Sequence, residues 1–359
     1  MKKISIILLV ILCFVTRAVF PQQEKVLKTE TGNTTLIYIV DNSGRLVFRY
    51  YGTRLADESV FGKVISYNKP DTNRDFSYEA YPTNALGYTN EPALAVIQSD
   101  RSMITELAYL SDEKKIDDND KTYSVIYLKD KVYNLLVELH TEAYKNEDVI
   151  AQWVIVRNNE KDNITLKNIY SSFLNVRAYS YYLTHFNGVW AGEMNRVEEK
   201  LDYGIKSIES KKGVRTTQSE NPSFILSLDH PAQENSGICY GGALAWSGNY
   251  KLSFQVDEWD HLNILSGINP YLSDYILEPG KSIETPKMIY TFSDSGQGQI
   301  SRNFHDWSRK YALNKGFDER PIVLNSWEGA YFDFDEKTIT DMIDDAARLG
   351  VEMFVLDDG

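Results

Sequence analysis

Between Glu24 and Tyr290 the sequence carries almost no helical period, and this constrains its fold more than any other feature. The runs TLIYIV and RLVFRYYG flank Asp41-Asn42-Ser43-Gly44, a turn cluster that predicts a hairpin. KVYNLLVELHTE places Tyr133, Leu135, Val137 and Leu139 on one face, and VIAQWVIVRNN follows after a polar turn. SFILSLDH, GGALAWSG, YKLSFQVDEW and MIYTF continue the series, separated by Gly, Asn, Pro and Ser. Many strands joined by turn signals predict a mainly β protein, a large antiparallel sandwich. The stretch exceeds an immunoglobulin-type unit of about 100 residues, so two big stacked sheets are expected.

The period then changes. In QISRNFHDWSRKYAL, Ile300, Phe304, Trp307 and Tyr311 recur at helical spacing, with Ser293-Asp294-Ser295-Gly296 as capping residues upstream. PIVLNSW reads as a buried parallel strand. Asp335 can cap a helix with Ile339, Met342, Ile343, Ala346 and Leu349 on one stripe, and Gly350 can end it. VEMFVLDDG then reads as a second buried strand, completing one β-α-β unit. In α/β architectures functional residues gather at the carboxyl ends of strands. Here those ends carry Ser326-Trp327-Glu328 and Asp357-Asp358. Two parallel strands cannot cover their own faces, so they read as the first staves of a (β/α)8 barrel that needs about 250 residues. The chain as given is therefore expected to be cut short.

The amino terminus, MKKISIILLVILCFVTRA, has a basic start, an apolar run and a small-residue cleavage pattern, so residues 1–18 read as a signal peptide. Cleavage would remove Lys2, Lys3 and Arg17 and no acid, taking the formal charge from −13 to −16. Such an acidic body without a basic stripe is unsuited to nucleic acid, and no membrane attachment is expected after cleavage. A neutral ligand such as a sugar would not be repelled. Loss of Cys13 leaves Cys239 alone, most simply a small buried strand residue. The expected organisation is a signal peptide over 1–18, a sandwich over 24–294, a linker helix over 295–319 and the start of a barrel over 320–359.

RPIVLNSWEGAYFDF with RLGVEMFVLDDG resembles the start of the barrel in glycoside hydrolase family 36, the microbial α-galactosidases. LTHFNGVWAGEMNR, YGGALAWSGNYKLSFQVDE, GINPYLSDYILEPG and MIYTFSDSGQGQISRNFHDWSRKY resemble that family's first domain. The resemblance runs from about Val26 to Gly359. It implies a β-supersandwich, a (β/α)8 barrel and a small carboxyl-terminal β domain. It also implies retaining hydrolysis of terminal α-linked galactose, as in melibiose or raffinose, with tetramers in the family and so a homo-oligomer here. No cofactor and no metal are expected. Retaining chemistry uses two carboxyl groups about 5–5.5 Å apart. In the family both are aspartates on later barrel strands, so no catalytic residue is expected within this sequence.

Carried over by position, Asp357 and Asp358 match an aspartate pair that accepts hydrogen bonds from galactose hydroxyls, and Trp327 matches a tryptophan that walls the sugar pocket. Gly329 stands where alanine is more usual. The loop RDFSYEAYPTNALGYTNEP departs from the family's usual text, where this region can reach a neighbouring subunit's active site.

Each residue also has a plainer reading. An Asp-Asp pair after an apolar run can be a strand-end turn, Trp327 can be core, and Glu328 is not used catalytically by the family. His185 and His305 read as structural, and Trp190, Trp246 and Trp259 as sandwich core or sheet packing. YGGALAW lacks the lysine and helix of a phosphate-binding loop. The functional alternatives are an α-N-acetylgalactosaminidase of the same family, a carbohydrate-binding module without catalysis, and an inactive truncated product.

Overall fold

Period-two runs become strands wherever the sequence carries them. The computed structural model describes residues 24–56, 79–85, 88–117, 121–215 and 219–358. The signal-peptide expectation, the closing Gly359 and parts of the loop RDFSYEAYPTNALGYTNEP lie outside the described residues. The chain divides into two compact units that part after Phe304.

The first unit is built of three antiparallel sheets. A three-stranded meander joins Lys25–Glu30, Thr34–Val40 and Leu46–Thr53, with the Asp41-Asn42-Ser43-Gly44 turn closing its second hairpin. A ten-stranded sheet runs in the order Gly192–Leu201, Tyr181–Val189, Glu220–Leu228, Cys239–Leu244, Met288–Ser293, Val149–Asn158, Leu135–Tyr144, Lys121–Asp130 and Leu107–Ile116. Its tenth strand, Ser282–Glu284, pairs beside Val149–Asn158. A six-stranded sheet runs Gly204–Ser210, Tyr250–Val256, His261–Ile268, Ile164–Arg177 and Tyr275–Leu277, with Leu94–Ile97 also on Ile164–Arg177.

One continuous core holds these sheets together. It draws Leu36 and Phe48 from the meander, Leu135, Val137 and Ile150 from the large sheet, and Phe173, Leu252 and Ile264 from the smaller one. Phe224 and Phe254 meet edge to face across the sheets, with ring centres 4.9 Å apart. Some buried hydroxyls of this core are paired across the sheets, which offsets their desolvation. The Tyr290 hydroxyl of the large sheet lies 2.8 Å from Ser172 Oγ and 3.3 Å from Ser266 Oγ of the smaller one. Tyr240 donates from its hydroxyl to the carbonyl of Tyr51 on the meander at 2.7 Å.

The expected helix forms over Gln297–Trp307 and continues as a π-helical turn over Ser308–Ala312. Its start is satisfied by tertiary contacts. Gln297 and Gly298 donate their N–H groups to the carbonyls of Gln233 and Glu234, where the sequence had suggested local serine or aspartate caps. Ile300 is buried with Ala232 and Cys239, and Phe304 packs beside them. Burial pushes the Cys239 thiol up to about 12.

The tryptophans correct the sequence reading. Trp190 is 80% exposed at a hairpin tip, and Trp246 and Trp259 are also exposed, in turns. Turn positions set their exposure, which hydrophobicity does not reveal. Trp153, on Val149–Asn158, is the buried one among the described tryptophans of the first unit.

The second unit contains the β-α-β pattern. Val323–Asn325 pairs in parallel with Met353–Val355, with Val323 opposite Met353 and Asn325 opposite Val355. Between them runs the helix Glu336–Leu349. Asp335 caps it by accepting from the Thr338 N–H at 2.8 Å, and Gly350 closes it at φ 84°. The strands are parallel as expected but not buried. Val323 and Met353 are exposed, because two strands and one helix leave most of their apolar faces uncovered.

Candidate functional site

Both strands of the second unit end on polar side chains. Val323–Asn325 leads into Ser326 and Trp327, and Met353–Val355 leads through Leu356 into Asp357 and Asp358. The parallel register brings these carboxyl ends together. Ser326 donates its N–H to the Val355 carbonyl at 3.0 Å, extending the ladder by one residue. Asp357 in turn donates its N–H to Ser326 Oγ at 3.1 Å.

Asn325 ties the two ends into one structure. Its Nδ2 donates to Asp357 Oδ2 at 2.6 Å, while its Oδ1 accepts from the Trp327 N–H at 2.7 Å. The second oxygen of Asp357, Oδ1, accepts from the Asp358 N–H at 2.7 Å. The Asn325 amide, and after it the Asp358 N–H, hold the Asp357 carboxyl below the usual carboxylate range. The Asp358 side chain accepts no hydrogen bond among the described residues. Both aspartates are exposed. One carboxylate is therefore oriented in advance and its neighbour is open to whatever approaches.

Trp327 opens the short helix Trp327–Ala330. Its indole is held edge to face by Tyr331, 5.3 Å between ring centres, and by Phe332, 5.0 Å. Tyr331 occupies φ 49°, an uncommon conformation for a bulky residue. Its hydroxyl donates to Glu328 Oε2 at 2.8 Å, and that carboxylate pushes the phenol up. Glu328 is thus engaged with Tyr331.

The remaining candidates lie elsewhere. His185 is buried in the large sheet of the first unit, with Nε2 3.1 Å from Glu199 Oε1, and His305 is exposed on the helix Gln297–Trp307. Among the described residues no three His, Cys, Asp or Glu side chains cluster as a metal would require. The sequence reading brought Ser326, Trp327, Asp357 and Asp358 to one place, gave Ser326 no role and missed Asn325. The signal for Asn325 was available, since an Asn two residues before Trp327 at a strand end is placed to bond the backbone ahead of it.

Chemically, this end of the parallel pair offers strong acceptors beside an aromatic ring, a combination that suits a hydroxyl-rich ring with one apolar face. The family model described as the glycosyl hydrolase family 36 N-terminal domain matches residues 44–278, and the model described as melibiase matches residues 282–359. The chain is 30% identical to alpha-galactosidase Mel36A of Lactobacillus acidophilus, over 95% of this chain and 50% of that protein. It is 28% identical to alpha-galactosidase AgaA of Geobacillus stearothermophilus, over 94% of this chain and 50% of that protein. Among solved structures, the alpha-galactosidase of Lactobacillus brevis matches with a TM-score of 0.87 and 27% identity, over 94% of this chain and 49% of that one. A variant of AgaA in complex with raffinose matches with a TM-score of 0.85 and 26% identity, over 93% of this chain and 50% of that one. The chain spans about half the length of the curated relatives it matches.

Proposed function

The chain belongs to glycosyl hydrolase family 36, and from that premise we propose that it is the amino-terminal part of a retaining α-galactosidase. Its substrates are oligosaccharides ending in α-linked galactose, such as melibiose or raffinose. The similarity to a relative bound to raffinose supports this class. Asp357 and Asp358 accept hydrogen bonds from galactose hydroxyls, including the axial 4-hydroxyl that separates galactose from glucose. Trp327 lends its indole to the apolar side of the pyranose ring. One observation carries the reading: both strand ends that hold these residues are joined by the Asn325 carboxamide.

Bond cleavage needs a nucleophile and an acid/base carboxyl about 5–5.5 Å apart. The family supplies both from later barrel strands, so the roles of Asp357, Asp358 and Trp327 are binding roles. The test is release of nitrophenol from a nitrophenyl α-galactoside, by the 359-residue chain and by the product of the reading frame continued past Gly359. No release is expected from the first and release from the second. Turnover by the short chain would overturn the assignment of chemistry to later strands.

Export and assembly complete the proposal. Residues 1–18 act as a signal peptide and the protein works outside the cytoplasm, so the mature chain begins at Val19. Mass spectrometry of the exported protein checks this, and an intact Met1 would refute it. The protein is a homo-oligomer, which light scattering on the purified protein would test.

A further inference from the structure

We infer that Asn325 is a positioning residue that sets the Asp357 carboxylate and the Trp327 backbone as a single unit, with Ser326 supporting it from the Asp357 main chain. The inference rests on the sugar-binding reading of Asp357 and Trp327 and adds two residues to it.

The geometry has two parts that differ in kind. The contact from the Trp327 N–H to Asn325 Oδ1 is local, two residues along the chain, and an Asn at a strand end makes such a turn readily. The contact from Asn325 Nδ2 to Asp357 Oδ2 spans 32 residues and joins the ends of two strands. One planar amide makes both, with its donor and its acceptor each committed. Rotation of either partner then costs a hydrogen bond at the other end. Ser326 is buried although most of this unit is exposed, and its hydroxyl accepts the Asp357 N–H. Asp357 is fixed through its main chain by Ser326 and through its side chain by Asn325. Among the described residues, Asp358 has only its N–H engaged, on Asp357 Oδ1.

The consequence is a division of labour within the aspartate pair. A carboxylate oxygen that already accepts one hydrogen bond retains a second acceptor direction, now fixed in space. Asp357 therefore offers a sugar hydroxyl a preset acceptor, whereas Asp358 is ordered on contact. Preorganisation of this kind lowers the entropy lost on binding.

Asn325→Asp separates the two ends of the amide. It keeps an acceptor for the Trp327 N–H, removes the donor to Asp357 and places a like charge beside it. Asn325→Ala removes both contacts. The measurement is the titration of the Asp357 side-chain carboxyl by NMR in the 359-residue chain, with D-galactose as the added probe. Both variants should raise the Asp357 midpoint, Asn325→Asp more than Asn325→Ala. Asn325→Asp should leave the Trp327 amide resonance near its original position, and Asn325→Ala should move it. Galactose should perturb Asp357 in the parent chain, with affinity falling about tenfold in Asn325→Ala, an effect of one lost positioning contact.

An Asp357 midpoint equal in the parent and in both variants overturns the positioning role. A raised midpoint in the variants, with no galactose response at Asp357 or Trp327 in the parent, keeps the positioning role and overturns the sugar reading beneath it. Asn325 is exposed at the end of a short strand, and unchanged amide resonances from the helix Glu336–Leu349 would show that its own unit remains folded in the variants.

Discussion

Asp148 shows how a single side chain can hold two sheets in register. It sits in the turn between Leu135–Tyr144 and Val149–Asn158, at φ 52°, and is buried. Its carboxylate accepts from Thr31 Oγ1 at 2.8 Å, from the Asn33 N–H at 2.7 Å and from Asn33 Nδ2 at 2.6 Å, all in the turn of the meander's first hairpin. Asp148→Ala strands those donors and places alanine in a left-handed conformation, so about 3 kcal/mol of stability should be lost in urea unfolding. Asp148→Asn keeps one acceptor and tolerates the backbone, and should cost about 1 kcal/mol. Equal losses in the two variants would show that the charge, not the acceptor geometry, matters there. Titration tests a second residue. Burial by itself would raise the Glu142 carboxyl, but hydrogen bonds from Lys287 and Tyr144 and the charges of Lys287 and Lys121 outweigh it and hold the group low. Glu138 is held low in the same way, burial being outweighed by Arg157 and His140. A carboxyl depressed in the folded state adds stability that is complete above its unfolded value, about 4.3, and is lost as pH falls through the folded value. The urea midpoint should fall on acidification below about pH 4.5, and the fall should be shallower in Glu142→Gln; parallel curves would exclude Glu142 as a contributor. At this scale the sequence was readable for the placement of Asp357, Asp358 and Trp327, because the strand pattern around them puts all three just past the carboxyl ends of two parallel strands. It was silent on Asp148, whose partners lie more than a hundred residues away in the chain.

Elements were more legible than residues, because period and caps are local. The helix Glu336–Leu349 starts at Asp335 and stops at Gly350 as the sequence predicts, and the hairpin at Asp41-Asn42-Ser43-Gly44 forms where its turn residues stand. The start of Gln297–Trp307 was not legible, since its first N–H groups are met by the carbonyls of Gln233 and Glu234 and no local pattern encodes a tertiary cap. That helix also depends on a glycine in the strand beneath it. A Cβ on Gly241, within Cys239–Leu244, would stand 2.4 Å from Ile300 Cγ2 and 2.9 Å from Phe304 Cε2. The motif YGGALAW is therefore a packing device, with its first glycine letting a helix lie close on a sheet. Gly241→Ala should push the helix outward and cost about 1–3 kcal/mol, the range for overpacking a core. The thiol of Cys239, buried under the same helix, gives an independent readout. In the parent chain it should resist a thiol reagent at pH 8, and in Gly241→Ala it should react before global unfolding. A variant as inert as the parent would mean that the strand, and not the helix, takes up the extra methyl group.

At the scale of the molecule, the two units differ in how much of their apolar surface is covered. Residues before Phe304 share one large core drawn from three sheets. Among the described residues after it, only Ser326 and Ala346 are buried, while Leu349 is 84% exposed and Ile322 61%. A unit of this size seldom stands alone without added support, since small domains bury too little surface to offset chain entropy. Its local signals are nevertheless sound: a capped helix, a parallel register and a short side-chain network at the strand ends. The geometry of this segment is encoded locally while little of its apolar surface is covered among the described residues, and the relatives it matches are about twice as long as this chain. Hydrogen exchange separates these two properties. Amides of Leu135–Tyr144 should exchange only through global opening, whereas those of Val323–Asn325 and Met353–Val355 should exchange orders of magnitude faster through local opening. Joining the chain to the rest of a family barrel should bring the second set toward the first, because further strands would cover the exposed faces of Val323 and Met353. Equal protection in the 359-residue chain would instead show that the β-α-β unit is stable by itself. Its aspartates would then be fixed for binding without the residues that complete the pocket, and galactose affinity in the short chain should approach that of the longer one.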